Sequence, residues 1–232
     1  MNTTAVMRPA SASALDYYLL RSDGAHGQPA GLLVEEFVLT DDLRADRLRG
    51  AGWTPADGGW WSSAGFARAI RADPRVRARL TATDRATARE TYRRLGGGTL
   101  PDEPALRGRF HDDLPLAAAA PPLSLNGGPP VHRVLFAGDL DDRQAARLGG
   151  LLRMNRAAGP DGADPGVVST GRLRVNDSTF GWQLRRVAGG LAWCIDVTSE
   201  PGDQEALRWL LRQLVGVARG HGLVPATIDR LS

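Results

Sequence analysis

The chain has 232 residues, 42% of them hydrophobic, enough to bury one large core or two small ones. Its formal charge of +3 is too small to imply nucleic acid, and all 29 basic residues are arginine. With no lysine there is no P-loop lysine, no Schiff base to pyridoxal phosphate and no kinase-type phosphate lysine; a single cysteine, Cys194, excludes an internal disulfide and any CxxC pair.

Abundant Ala, Gly and Pro beside the arginines fit codon usage in a GC-rich, bacterial genome, and arginine in place of lysine accounts for the high pI. No apolar run is long enough to span a bilayer. Residues 1–15 are small and polar with no apolar stretch, which predicts a disordered lead rather than a signal peptide and a cytoplasmic protein.

Taken in order, 16–21 (DYYLLR) and 32–39 (LLVEEFVL) predict two strands joined by the hairpin loop SDGAHGQPAG. Residues 41–49 fit either a short helix or an extended connection. The turn-rich segment GWTPADGGWW carries Trp53, Trp60 and Trp61, rings suited to covering the edge of a small core or to forming a ligand platform. A helix is expected over 63–73, with Phe66, Ala69 and Ile70 inward and Pro74 as its stop.

From 75 to 81, Arg75, Arg77 and Arg79 alternate with Val76, Ala78 and Leu80, the pattern of a half-buried strand. Asp84 caps a helix that runs to Leu95 and ends at Gly96-Gly97-Gly98; on it Arg85, Arg89 and Arg93 fall four apart on one stripe. Between Phe66 and Leu95 nine arginines face three acids, so the remainder of the chain is net acidic. This segregation of charge is the strongest functional hint in the sequence.

The Pro-, Gly- and Ala-rich stretch 111–130 predicts an interdomain linker. Beyond it, 131–137 (VHRVLFA) fits a central strand, and 139–154 a helix capped by Asp139 or Asp141 with Ala145, Leu148 and Leu152 inward. A Gly/Pro/Asp loop follows over 156–165. Alternation in 172–175, 180–185 and 191–198 predicts three antiparallel strands, turned at Asn176-Asp177-Ser178 and Ala188-Gly189-Gly190. Phe180, Trp182, Leu191, Trp193, Ile195 and Val197 form the apolar side. Arg172, Arg174, Gln183, Arg185, Cys194 and Asp196 form the opposite, charge-mixed side. Leu207, Leu210, Leu211, Leu214, Val217 and Ala218 line one face of a helix from about 202 to 221, and a last strand is expected over 223–228.

The fold class is therefore α+β, in two small domains: a lead (1–15), an N-terminal domain (16–110), the linker (111–130) and a C-terminal domain (131–232). The C-terminal sheet, covered by two helices, resembles a ferredoxin-like sandwich, a likeness of architecture that implies no function.

Few constellations carry chemistry. Cys194 and Asp196 share a sheet face that His132 or His221 would have to approach to make a Cys-His-Asp arrangement; the expectation is a silent cysteine and two structural histidines. His111-Asp112-Asp113 has metal-ligand types but no distant partner, and no metal or other cofactor is expected. Gly96-Gly97-Gly98 and Asn126-Gly127-Gly128 lack the strand-before, helix-after setting of a phosphate loop.

The resulting expectation is a non-catalytic protein that binds a protein partner, as an adaptor, accessory or immunity-type subunit. The alternative is a nucleic-acid or other polyanion binder using the segment 66–95, and a third reading is an enzyme that leaves no short motif. The binding candidates are Arg75, Arg77, Arg79, Arg85, Arg89, Arg93, Arg172, Arg174 and Arg185.

Overall fold

A computed structural model describes residues 15–22, 27–116, 130–157, 164, 166–175, 177–190, 192–200 and 203–231, which form a mixed α+β fold around two antiparallel sheets. The first sheet begins with β1 (Asp16–Arg21) and β2 (Pro29–Leu39), in register from Asp16↔Glu35 to Leu20↔Gly31, with a shift before Arg21↔Pro29. β3 (Ala45–Trp53) pairs with β2, and β4 (Trp60–Ser62) continues the sheet beyond β3. The helices α1 (Ala64–Ala72) and α2 (Pro74–Arg77) lead to β5 (Leu80–Thr83), which pairs with β1. After α3 (Arg85–Arg94) and α4 (Glu103–Arg107), the short β6 (Asp113–Pro115) returns to β3.

Leu32, Leu33 and Val34 are all fully buried, although neighbours on a strand point to opposite faces. Both faces of this sheet are covered, which explains the unbroken apolar run. Tyr17, Leu19, Leu32 and Val34 pack with Ala88 and Tyr92 of α3 and Leu106 of α4. On the other side Tyr18, Leu20 and Leu33 pack with Ile70 of α1.

In the first half one open alternative is resolved and one stretch differs from expectation. The undecided segment 41–49 ends in strand, since β3 starts at Ala45 and pairs with β2 apart from a register shift at Asp46. The alternating Arg75, Arg77 and Arg79 do not lie on one strand face. Pro74 occupies the first turn of α2, where its missing N–H costs nothing, and the Asp73 carboxylate accepts from the Arg75 N–H at 2.8 Å. The strand starts only at Leu80.

The second sheet comprises β7 (Val131–Ala137), β8 (Asn155–Arg156), β9 (Val167–Val175), β10 (Ser178–Val187), β11 (Ala192–Glu200) and β12 (Val224–Leu231), in the order β12-β7-β11-β10-β9-β8. α5 (Asp142–Leu151) follows β7, and α6 (Gln204–Arg219) joins β11 to β12. α5 opens with a capping box: Asp141 accepts from the Gln144 N–H at 2.7 Å, and the Gln144 side chain accepts from the Asp141 N–H at 2.8 Å.

Phe180, Trp182 and Leu184 of β10 and Trp193, Ile195 and Val197 of β11 face Leu148 of α5 and Leu207, Leu211 and Leu214 of α6. Each such side chain contributes about 1.5–3 kcal/mol by burial. Residues 1–14, most of the expected linker (117–129), 158–163, 165 and Leu191 lie outside the described residues.

The sheets meet through the turn between β2 and β3. Leu43 there has φ 63, a conformation uncommon for a side chain of its kind, and is 1% exposed. It joins Ala45, Phe37 and Leu39 in the same apolar cluster as α5, α6 and the second sheet, so the packing holds the backbone there. Val224 of β12 reaches back into the cluster of Tyr18, Leu33 and Ile70.

Candidate functional site

The candidate arginines do not gather at one place. Arg75 and Arg79 are exposed, and the Arg79 Nε donates to the Arg21 carbonyl at 3.1 Å. Arg77 turns back onto α1, donating to the Ile70 carbonyl at 3.0 Å. On α3 the stripe splits: Arg85 lies over the Tyr17 ring and donates to the Tyr17 hydroxyl at 2.5 Å and the Pro101 carbonyl at 2.8 Å. Arg93 pairs with Glu90 at 2.8 Å in solvent, and Arg89 is exposed. In the second sheet Arg172 and Arg174 are exposed, whereas Arg185 pairs with Asp164 and, at 3.5 Å, with Asp196.

The tryptophans cover cores rather than forming an open platform. Trp53 and Trp60 lie against Tyr92, with ring centroids 4.4 and 5.7 Å away, and Trp61 meets the Phe66 ring edge-on at 5.7 Å.

The Cys-His-Asp arrangement does not assemble. The Cys194 Sγ approaches Asp196 Oδ1 at 3.7 Å, and Asp196 is held by Arg133 in a bidentate pair at 2.7 and 2.8 Å. His132 is set against Val197 in the ladder, with Val134 and Phe136 as same-face neighbours, so it points away from Cys194. Burial and the neighbouring Asp196 push the Cys194 thiol up to about 12, which leaves it protonated at neutral pH. His221 closes α6, its Nδ1–H donating to the Val217 carbonyl at 3.1 Å. Asp113, beside His111, pairs with Arg47 at 3.2 Å and Arg49 at 3.1 Å.

Between the two sheets lies a more organised constellation that the sequence reading missed. Glu35 of β2, 1% exposed, receives two hydrogen bonds from Arg71 of α1, at 3.2 and 3.0 Å. The Arg71 Nε donates across to the Pro225 carbonyl of β12 at 2.9 Å. From the other side Arg219, at the end of α6, donates to the Tyr18 hydroxyl at 2.9 Å, the Tyr17 carbonyl at 2.8 Å and Asp16 at 2.6 Å. Burial holds the Asp16 carboxyl above the usual carboxylate range, with Arg219 opposing that shift, and burial likewise raises the Tyr18 phenol. Two arginines thus cross-link the sheets in opposite directions. One signal was available: in LLVEEFVL, Glu35 continues a run buried on both faces, where a carboxylate needs a cationic partner.

Beside this cluster a half-open groove of about 670 Å³ runs between α6 and the start of the first sheet. Phe37, Val38, Leu39, Leu211 and Val215 supply apolar surface. Arg49, Arg85, Arg208 and Arg212 stand on its polar walls with Glu36 and Asp84. Its size falls within the usual range of ligand-binding clefts, about 300–1,000 Å³. The described lining residues include no cysteine, histidine or serine.

Among the described residues no group of three or more His, Cys, Asp or Glu is placed to hold a metal ion, and no helix is long and apolar enough to cross a membrane. Compared with known protein families, curated proteins and solved structures, the chain matches none.

Proposed function

We propose that this is a non-catalytic cytoplasmic protein that binds a protein partner, in the manner of an adaptor, accessory or immunity-type subunit. The observation that supports this reading is the groove between the sheets. Its apolar surface is bordered by charged side chains on several elements, the anatomy of a docking surface with a hydrophobic centre and a polar rim. For the second half the ferredoxin-like sandwich remains a reading of architecture alone: the antiparallel sheet with α5 and α6 supports it, the antiparallel β7–β11 pair and the added strands depart from it, and it carries no activity with it.

The test is a tagged pull-down from the native cell, split into nuclease-treated and untreated halves. A discrete protein retained after nuclease supports the reading. Nucleic acid in the eluate, with binding that falls and loses salt dependence when Arg75, Arg77 and Arg79 become glutamine, replaces it with the polyanion reading. An eluate with neither overturns both as stable interactions.

A further inference from the structure

We infer that the groove between α6 and the first sheet receives an acidic, amphipathic segment of the partner protein, seated against Arg208 and Arg212. The inference rests on the protein-binding reading and specifies the chemistry of what binds.

The charge balance of the groove carries it. Two of its three acids are already paired with arginines. Asp16 accepts from Arg219 at 2.6 Å. Glu36 accepts three hydrogen bonds from Arg107, at 2.7 to 3.1 Å. The third, Asp84, accepts from the Thr87 N–H at 2.7 Å as the cap of α3 and keeps its negative charge. Arg208 and Arg212, by contrast, are exposed, one helical turn apart on α6, and form no ion pair with a described residue. Arg85 spends its donors on a phenol and a carbonyl, and its charge is offset by that of the adjacent Asp84, which leaves Arg208 and Arg212 as the excess. The uncompensated field at the mouth is therefore positive.

The apolar part sets the second requirement. Phe37, Val38 and Leu39 belong to β2 beyond Asp16↔Glu35, the first pair of the β1–β2 ladder, and line the groove, Phe37 and Leu39 packing against the cluster that holds Leu211 and Val215. A ligand that brought only negative charge would leave that surface wet. A segment with carboxylates beside apolar side chains meets both parts, its charges governing encounter and register and its apolar groups the affinity.

The experiment places the photo-crosslinking amino acid benzoylphenylalanine at Gln213, an exposed position lining the groove, in the otherwise intact chain expressed in its native cell. The expected product is a crosslinked protein whose linked peptide, read by mass spectrometry, combines Asp or Glu with apolar residues. Adding Arg208→Glu and Arg212→Glu lowers the yield about tenfold, equivalent to ~1.4 kcal/mol. Adding Arg172→Glu and Arg174→Glu instead leaves it unchanged, and matching thermal melts show that both variants fold. A linked peptide that is basic or lacks apolar residues, or a nucleic-acid adduct, overturns the inference. If pull-down still retains the partner through Arg208→Glu/Arg212→Glu, the protein-binding reading stands and the groove falls as its site. If wild type retains no protein, both fall together.

Discussion

Glu35→Gln tests whether the charged cross-link between the sheets holds the fold together. The substitution preserves shape and removes one charge. Arg71 would then face an amide that accepts at one atom and presents N–H groups at the other, while its own side chain is only 10% exposed. Breaking a buried ion pair by removing one partner costs about 3–5 kcal/mol, most of it from the charge left behind. For a chain of this size each 1 kcal/mol moves Tm by about 2–4 °C, so the expected fall is roughly 6–20 °C. Equilibrium urea unfolding followed by tryptophan fluorescence measures the loss in free energy and a thermal melt the fall in Tm, since Trp53 and Trp61 report on the first half and Trp182 and Trp193 on the second. The double variant Glu35→Leu/Arg71→Met removes both charges, forfeiting the hydrogen bond to the Pro225 carbonyl but leaving no unpaired ion, and should lie within about 2 kcal/mol of wild type. A loss below about 1 kcal/mol in Glu35→Gln, or a double variant as unstable as the two singles added together, would refute the assignment.

His132 supplies a pH test. Its Nε2–H donates to the Asp42 carbonyl at 3.0 Å, its Nδ1 is buried without a partner among the described residues, and burial holds its pKa below the usual histidine value. The neutral ring therefore contributes stability that is present above the ordinary histidine pKa and lost as pH falls below it; wild type should lose stability between pH 7.5 and 5.5 relative to His132→Gln, by urea unfolding at each pH. Gly171→Ala should cost about 1–3 kcal/mol by the same assay, because a Cβ there would stand 2.3 Å from the Trp182 ring, itself fixed by a hydrogen bond from Nε1 to the Leu152 carbonyl. The Cys194 thiol should react with a disulfide reagent at pH 8 only after denaturant is added, and rapid reaction of the native protein would contradict its burial.

The parts of this fold that were legible in the sequence are those whose period is local. Trp193, Ile195 and Val197 on one strand face, and the Leu207–Ala218 stripe on α6, each meet the core that their spacing implies. The opposite face of β11 is less simple than its period. Period two places Cys194 and Asp196 away from the helices, yet both are buried, because side does not determine cover. Arg75, Arg77 and Arg79 misled for a different reason: alternation over so few residues also fits one turn of helix, and the decisive signal was Pro74 preceded by a capping Asp73. The cross-links between the sheets had no local signature at all. Arg219 and Tyr18 stand 201 positions apart, and tertiary packing such as that of Leu43 and Val224 across the junction brings their halves together.

The same side of α6 explains why folding and binding can be separated experimentally. Arg208, Arg212 and Arg219 recur at helical spacing and all line the groove, so spacing alone makes them equivalent. The tertiary structure divides them. Arg219 lies against Tyr18 with its charge 4.4 Å from the ring centroid, is 9% exposed, and donates to Asp16 and two groups of β1. Its loss strands Asp16 and opens the junction. Arg208 and Arg212 reach solvent, where a single charge contributes little to stability. A variant at 219 that weakens partner capture therefore says nothing about the groove unless stability is unchanged, whereas one at 208 or 212 that weakens capture at full stability locates the contact. The inner end of the stripe builds the wall, and the outer end is left to meet whatever docks there.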